Sequence, residues 1–167
     1  TLALRPGPTG MHRYSVSPCQ AGRSPELEDD AVLTRLGGFI GRLHAVGARR
    51  AFAHRRTLDA PRDAREAVAQ LDAGGFVSDN QRESWADACA RAIECIDAAF
   101  SEHRNASIRL HGDCHPGNLL WRDTGAHVVD LDDACMGPAV QDLWMLLSGE
   151  PESMAYQLRQ LLRGYAP

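Results

Sequence analysis

Lysine is missing from this chain: all 18 of its basic residues are arginine. Phosphate contacts through a permanently charged side chain are therefore expected to use a guanidinium, a planar fork that stays charged at every physiological pH. The five cysteines (Cys19, Cys89, Cys95, Cys114, Cys135) form no CxxC pair, and their odd number leaves one unpaired in any disulfide scheme. Reduced thiols in a cytoplasmic protein are the expectation. No apolar run reaches membrane length and no signal-peptide pattern stands at the start, so no membrane association is expected. The formal net charge of −4 argues against a dedicated nucleic-acid face. There is no internal repeat and no low-complexity tract, and 167 residues suit one domain.

What the chain does carry is concentrated between Arg109 and Asp133, in RLHGDCHPGNLLWRDTGAHVVDLDD. An Asp (Asp113) is followed five residues later by Asn118, and after a turn by Asp130, Asp132 and Asp133. Phosphoryl transfer asks little covalent chemistry of a protein; it needs an aligned hydroxyl and neutralised phosphate charge. Asp113 has the chemistry to accept a hydroxyl proton. Asn118 offers a neutral oxygen to Mg²⁺, and Asp130 a charged one where the metal bridges the phosphates of ATP.

Local structure predicts that these groups converge. Ser107 to Leu110 reads as a short strand, His111 to Gly117 as a loop, and Leu119 to Trp121 as a second strand. A turn at Asp123, Thr124 and Gly125 precedes a third apolar run, His127 to Val129. A hairpin over 119–130 returns Asp130 to the loop that holds Asp113 and Asn118.

Other chemistries use the same letters. Asp and Asn in Gly/Pro-rich loops commonly serve as turn formers. VVDLDD also looks like the opening motif of haloacid-dehalogenase-type phosphatases, but too little chain follows Asp133 to complete such a fold. His111, Asp113, Cys114 and His115 are all possible zinc donors. Neighbours on an extended loop point in alternating directions, however, and no second pair with ligand spacing is present. Cys114, next to Asp113, is either an oxidisable thiol or a small packed residue.

HGDCHPGN followed by VVDLDD resembles the catalytic and metal-binding loops of the aminoglycoside phosphotransferase and choline kinase family, and within it the stress response kinase A branch. The pattern of that branch is nearly reproduced from Leu110 to Leu147, and more weakly in LGGFIGRLH, Leu36 to His44. The likeness spans roughly residues 14–165. It implies an α+β chain: a mainly helical C-terminal lobe of a protein-kinase-like fold, with short β-hairpins carrying the catalytic and metal loops and the N-terminal lobe largely absent. Residues 1–22 would then end the N-terminal lobe, with Thr1–Leu4 and Met11–Val16 as its last hairpin about a Pro6–Gly10 turn. Ser17 to Gly22 would form the hinge, where Ser17 and Cys19 are candidates to meet adenine. Residues 23–167 would be the C-terminal lobe, truncated at its end.

The resemblance further implies ATP as co-substrate and Mg²⁺ as cofactor, with Asp113 and Asp130 catalytic and Asn118 and Asp130 on the metal. His111 would pack beneath the loop, His115 would shape it, and Asp142 would hold its backbone from below. The acceptor is expected to be a protein Ser/Thr hydroxyl, as in that branch, or a small hydroxylated or amine-bearing molecule, as in its relatives. A cytoplasmic monomer is expected for the full-length protein. The missing strand Lys and Gly-rich loop belong to the N-terminal lobe of such enzymes. With no Met at position 1, a partial sequence is expected, and the isolated chain is expected to be inactive, or a non-catalytic remnant. Gly112 stands where protein kinases carry the Arg of HRD, and the short span from Asp130 to Pro138 leaves no room for a long activation loop.

Helices account for the rest. Val32, Leu36, Phe39, Ile40 and Leu43 predict a helix from Asp29 or Asp30 to a stop at Gly47, with His44 packing. A short helix is predicted at Pro61–Leu71. Another, over Asn80–Phe100, carries Trp85, Cys89, Ile93, Ile96 and Phe100 as a core-facing stripe. Gly137 and Pro138 would open a helix bearing Val140, Leu143, Trp144 and Leu147. A last helix is predicted at Glu152–Arg163, stopping at Gly164.

Overall fold

The structure, a computed structural model, describes residues 2–102 and 107–165. Its frame is a pair of helices, α1 (Asp30–Gly47) and α5 (Pro151–Tyr165). Asp29 caps α1 by accepting the amides of Ala31 at 2.7 Å and Val32 at 3.4 Å, which satisfies N–H groups that a first turn leaves open. Val32, Leu33, Leu36 and Ile40 recur on one face of α1 and are all buried. They form the core with Cys114, Leu119, Trp121, Leu143, Leu146 and Leu161.

The two helices touch backbone to backbone. A Cβ on Gly37 would stand 1.9 Å from the carbonyl oxygen of Leu161, and one on Gly41 2.4 Å from that of Tyr165. Gly164 does not end α5 as the sequence predicts; it lies inside the helix, against the carbonyl of Thr34. Gly47 has a similar reason. The helix does finish there, but the cap is Ala48 in ordinary right-handed geometry, and Gly47 is needed because a Cβ would lie 2.3 Å from the carbonyl oxygen of Arg109.

Between these helices in sequence, α2 (Ala60–Ala73) and α3 (Arg82–Glu102) form an antiparallel hairpin, bridged by Arg65 to Asp97 and Arg82 to Asp72. The predicted core face of α3 is corrected here. Trp85, Cys89, Ile93 and Ile96 are only half-buried and Phe100 is exposed, because a lone helix pair covers one side of each stripe.

Three two-stranded antiparallel sheets occur among the described residues. In the first, β1 (Leu2–Gly7) pairs with β2 (Gly10–Ser15) across a tighter turn than the sequence indicates, so that Pro6 and Gly7 join the strand; Thr1 lies outside the described residues. In the second, β3 (Ile108–Leu110) pairs with β6 (Cys135–Gly137), and in the third, β4 (Leu119–Arg122) with β5 (Gly125–Val128). Gly137 thus lies in a strand rather than opening a helix. The helix that follows, α4 (Gln141–Trp144), is a single turn, with Val140 and Trp144 exposed. No helix among the described residues is long and apolar enough to cross a membrane.

Candidate active site

The loop after β3 is held from below by one carboxylate. Asp142, fully buried on α4, accepts the His111 amide on Oδ2 and the Gly112 amide on Oδ1, each at 2.8 Å. The Nε2 of His44 lies 3.0 Å from the same Oδ2. Three N–H donors converge on a buried charge, the condition under which such a charge is tolerable. Gln141 adds a bond from its side-chain amide to the Gly112 carbonyl at 3.0 Å.

Gly112 joins this loop to the acidic one. It adopts φ +90°, and a Cβ there would lie 2.2 Å from the carbonyl oxygen of Asp133. His111 makes a second link, its Nε2 donating to the carbonyl of Val129 at 2.8 Å, immediately before Asp130. A third comes from Asn118, whose carbonyl accepts the Val129 amide at 3.0 Å. The two loops are therefore one unit.

Pro116–Asn118 forms a single 3₁₀ turn that lifts Asn118 back toward Asp113. The Asn118 side-chain amide donates to the Asp113 carbonyl at 2.9 Å and to its Oδ2 at 3.2 Å. With the nitrogen so committed, Oδ1 of Asn118 is left as the free acceptor. His115 shapes the turn by accepting the Gly117 amide on Nδ1 at 3.0 Å, which leaves its Nε2 3.5 Å from Asp113 Oδ2.

Asp130 is exposed and has φ 61°, the one left-handed non-glycine among the described residues. Asp tolerates this region better than most residues, but the conformation still costs about 1 kcal/mol and persists only where surroundings impose it. Its Oδ1 turns back to the Asp132 amide at 3.4 Å. Arg55, from the segment that runs beside β6, donates to the Asp132 carbonyl.

A cavity of about 570 Å³ opens beside Asp130. Ser17, Cys19 and Gln20 line one wall, and Val128, Asp130 and Asp132 the other. The 17–23 segment is fixed there by paired backbone bonds between Arg23 and Trp121, at 3.1 and 2.6 Å. Asp113 and Asn118 do not line this cavity; they reach it through Val129.

Two readings of the loop fail on this geometry. The proposed zinc set is not assembled: His111 Nε2 is spent on a carbonyl, and among the described residues no three His, Cys, Asp or Glu side chains stand as a metal-ligand group. Cys114 is fully buried, and burial, then the charges of Asp142 and Asp113, push its thiol up to about 12. A protonated, enclosed thiol is a packed residue, not an oxidisable switch. Sequence reasoning missed Arg55, Gln141 and the hydrogen bonds of His44, which it placed only in the core. His44 also meets the hydroxyl of Tyr165, at 2.7 Å, a contact that nothing in the sequence signals.

A helical lobe presenting an Asp–Asn loop and an acidic loop fused through backbone contacts has the architecture of the kinase-like phosphotransferases. The chain belongs to the phosphotransferase enzyme family known as APH, which it matches over residues 4–167. It is 36% identical over 152 residues to stress response kinase A of Escherichia coli, covering 91% of this chain and 46% of that protein. It is 35% identical over 156 residues to the serine/threonine protein kinase RdoA of Salmonella typhimurium, covering 93% of this chain and 47% of that one. The chain thus spans about half the length of these curated relatives. Among solved structures, amicoumacin kinase hAmiN in complex with AMP-PNP, Ca²⁺ and Ami superposes with a TM-score of 0.62 at 15% identity, over 98% of this chain and 52% of that one. Spectinomycin phosphotransferase APH(9)-Ia, in complex with ADP and spectinomycin, gives 0.55 at 16%, over 98% and 55%. The fold is the protein-kinase-like one of these two phosphotransferases.

Proposed function

We propose that the protein transfers the γ-phosphoryl group of ATP, with Mg²⁺, to a serine or threonine hydroxyl of a protein. Residues 1–22 act as the end of a nucleotide lobe and hinge, residues 23–167 as the C-terminal lobe, and the whole as a cytoplasmic monomer. The observation that carries the reading is the Asn118 amide holding Asp113 by both its carbonyl and its carboxylate, on a loop fused to the one that bears Asp130.

In this reading Asp113 takes the proton of the acceptor hydroxyl. Its carboxylate is partly exposed and oriented by Asn118, and so is ready to receive that proton without rearrangement. The donor set fits a hard divalent cation: Oδ1 of Asn118 is left over once its nitrogen is committed, and Asp130 presents an exposed carboxylate at an enforced left-handed position. When bound, Mg²⁺ neutralises phosphate charge. The cavity walled by Ser17, Cys19 and Asp130 is the place for the nucleotide, in keeping with the AMP-PNP and ADP bound by the two antibiotic kinases. His111 and Asp142 support the loops from below, and His115 shapes the turn with its Nε2 3.5 Å from Asp113 Oδ2.

The protein acceptor follows the relatives that share 35–36% identity, one of which is named as a serine/threonine protein kinase. A small-molecule acceptor is the second reading, since the structural neighbours hold amicoumacin and spectinomycin. The deciding assay measures γ-phosphoryl transfer by the full-length protein and by its Asp113→Asn variant, offered protein and small-molecule acceptors side by side. Transfer that survives in the variant removes Asp113 from the chemistry; transfer confined to small hydroxyl compounds selects the second reading.

A further inference from the structure

We infer that Tyr165 is a positioning residue, acting through His44 and Asp142 on the backbone of the loop that carries Asp113. A continuous polar chain crosses the core. The Tyr165 hydroxyl lies 2.7 Å from His44 Nδ1, His44 Nε2 lies 3.0 Å from Asp142 Oδ2, and the two oxygens of Asp142 take the amides of His111 and Gly112 at 2.8 Å. His44 and Asp142 are 3% and 0% exposed, so water does not replace either of them, while Tyr165 at the end of the chain is half-buried.

The chain has a direction. A carboxylate only accepts, so the His44 nitrogen facing Asp142 carries a proton, and in the neutral imidazole Nδ1 is then the acceptor. Tyr165 must then donate its hydroxyl proton to Nδ1, which selects the Nε2–H tautomer and completes the set of donors around Asp142. The ring of Tyr165 also stands edge-on to the imidazole, at 5.6 Å between centroids and 71° between planes. Gly41 makes this approach possible, because a Cβ there would collide with the carbonyl of Tyr165.

Removing the hydroxyl alone leaves Nδ1 buried with no donor. The imidazole then escapes by turning, which shifts the hydrogen bond it gives to Asp142. Gly112, one residue from Asp113, loses the fixed carboxylate beneath it. The effect on rate rests on the phosphotransferase reading above; the effect on the loop does not.

The test compares the protein with its Tyr165→Phe variant by amide hydrogen exchange and by steady-state transfer. The His111 and Gly112 amides are expected to exchange about tenfold faster in the variant, the scale of one hydrogen bond, while the Trp121 amide, bonded to Arg23, is unchanged. The transfer kcat is expected to fall by a similar factor with the nucleotide KM within about twofold. A Leu161→Ala variant, which loosens the same helix packing without touching the chain, is expected to speed all three amides together. In a His44→Gln background, Tyr165→Phe is expected to add nothing further. Unchanged exchange at His111 and Gly112, or exchange that rises in step with Trp121, overturns the inference. If the parent transfers no phosphate, the phosphotransferase reading fails while the exchange data still decide the role of Tyr165.

Discussion

Asn118 gives both protons of its side-chain amide to Asp113, one to the carbonyl at 2.9 Å and one to the carboxylate at 3.2 Å. The pair is therefore a preorganised proton acceptor, with His115 Nε2 3.5 Å from the same Oδ2.

Asp113→Asn keeps the shape of the side chain and removes its basicity. Transfer is expected to fall by ~10²–10⁴-fold, the usual contribution of a general base, with nucleotide affinity nearly unchanged. Single-turnover transfer alongside calorimetric nucleotide binding reads the two quantities separately.

Asp130→Ala is expected to weaken Mg²⁺-dependent ATP binding more than Asn118→Ala does. A charged oxygen contributes more than a neutral one to holding a hard cation. Titrations with and without Mg²⁺ give the order; equal affinities for both variants and the parent would remove the metal assignment.

Asp142→Ala strands the His111 and Gly112 amides and His44 Nε2 in a buried site. Leaving a buried donor unsatisfied costs about 1–3 kcal/mol, and three donors lose their acceptor, so a loss on the order of 4 kcal/mol or more in unfolding free energy is expected. Asp142→Asn keeps one acceptor oxygen and should lose less. Urea denaturation of the three proteins tests the ranking.

Cys114 makes stability depend on alkaline pH. Burial raises its thiol from the ordinary 9.0 to about 12, so the folded state holds a proton that the unfolded chain gives up. Its contribution is complete below pH 9 and is lost as pH rises from there toward 12, at about 1.4 kcal/mol per pH unit. With no lysine in the chain, thiols and tyrosines are the side chains that titrate across this window. Comparing Cys114→Ala with the parent isolates the slope: the variant should lose less stability between pH 9 and 11. In the native protein Cys19 and Cys95, both exposed, should react with iodoacetamide while Cys114 and Cys135 remain protected.

How much of this was written in the chain depends on the range of the forces involved. The hairpin of β4 and β5 and the start of α1 at Asp29 or Asp30 follow from residues within a few positions of one another, and local turn and helix-start chemistry made them legible, whereas the 3₁₀ turn at Pro116 lies in a segment that reads only as a loop. The wording HGDCHPGN followed by VVDLDD was likewise enough to show the resemblance to its family, which the match over residues 4–167 bears out. β6 was not legible, because three residues with no alternation become a strand only by pairing with β3 and with the 56–58 segment. The stripe on α3 is amphipathic in sequence, yet its burial depends on a partner surface that α2 supplies on one side only. Gly47 reads as a helix stop, while its actual need comes from the carbonyl of Arg109, 62 positions away. His44 illustrates the division most clearly: periodicity put it inside α1's apolar face, but Tyr165 and Asp142 reach it from 121 and 98 residues away. Local propensity sets the helices and the tight hairpins; which short segment pairs into a strand, and which buried polar groups find one another, is settled only when the elements close to backbone contact.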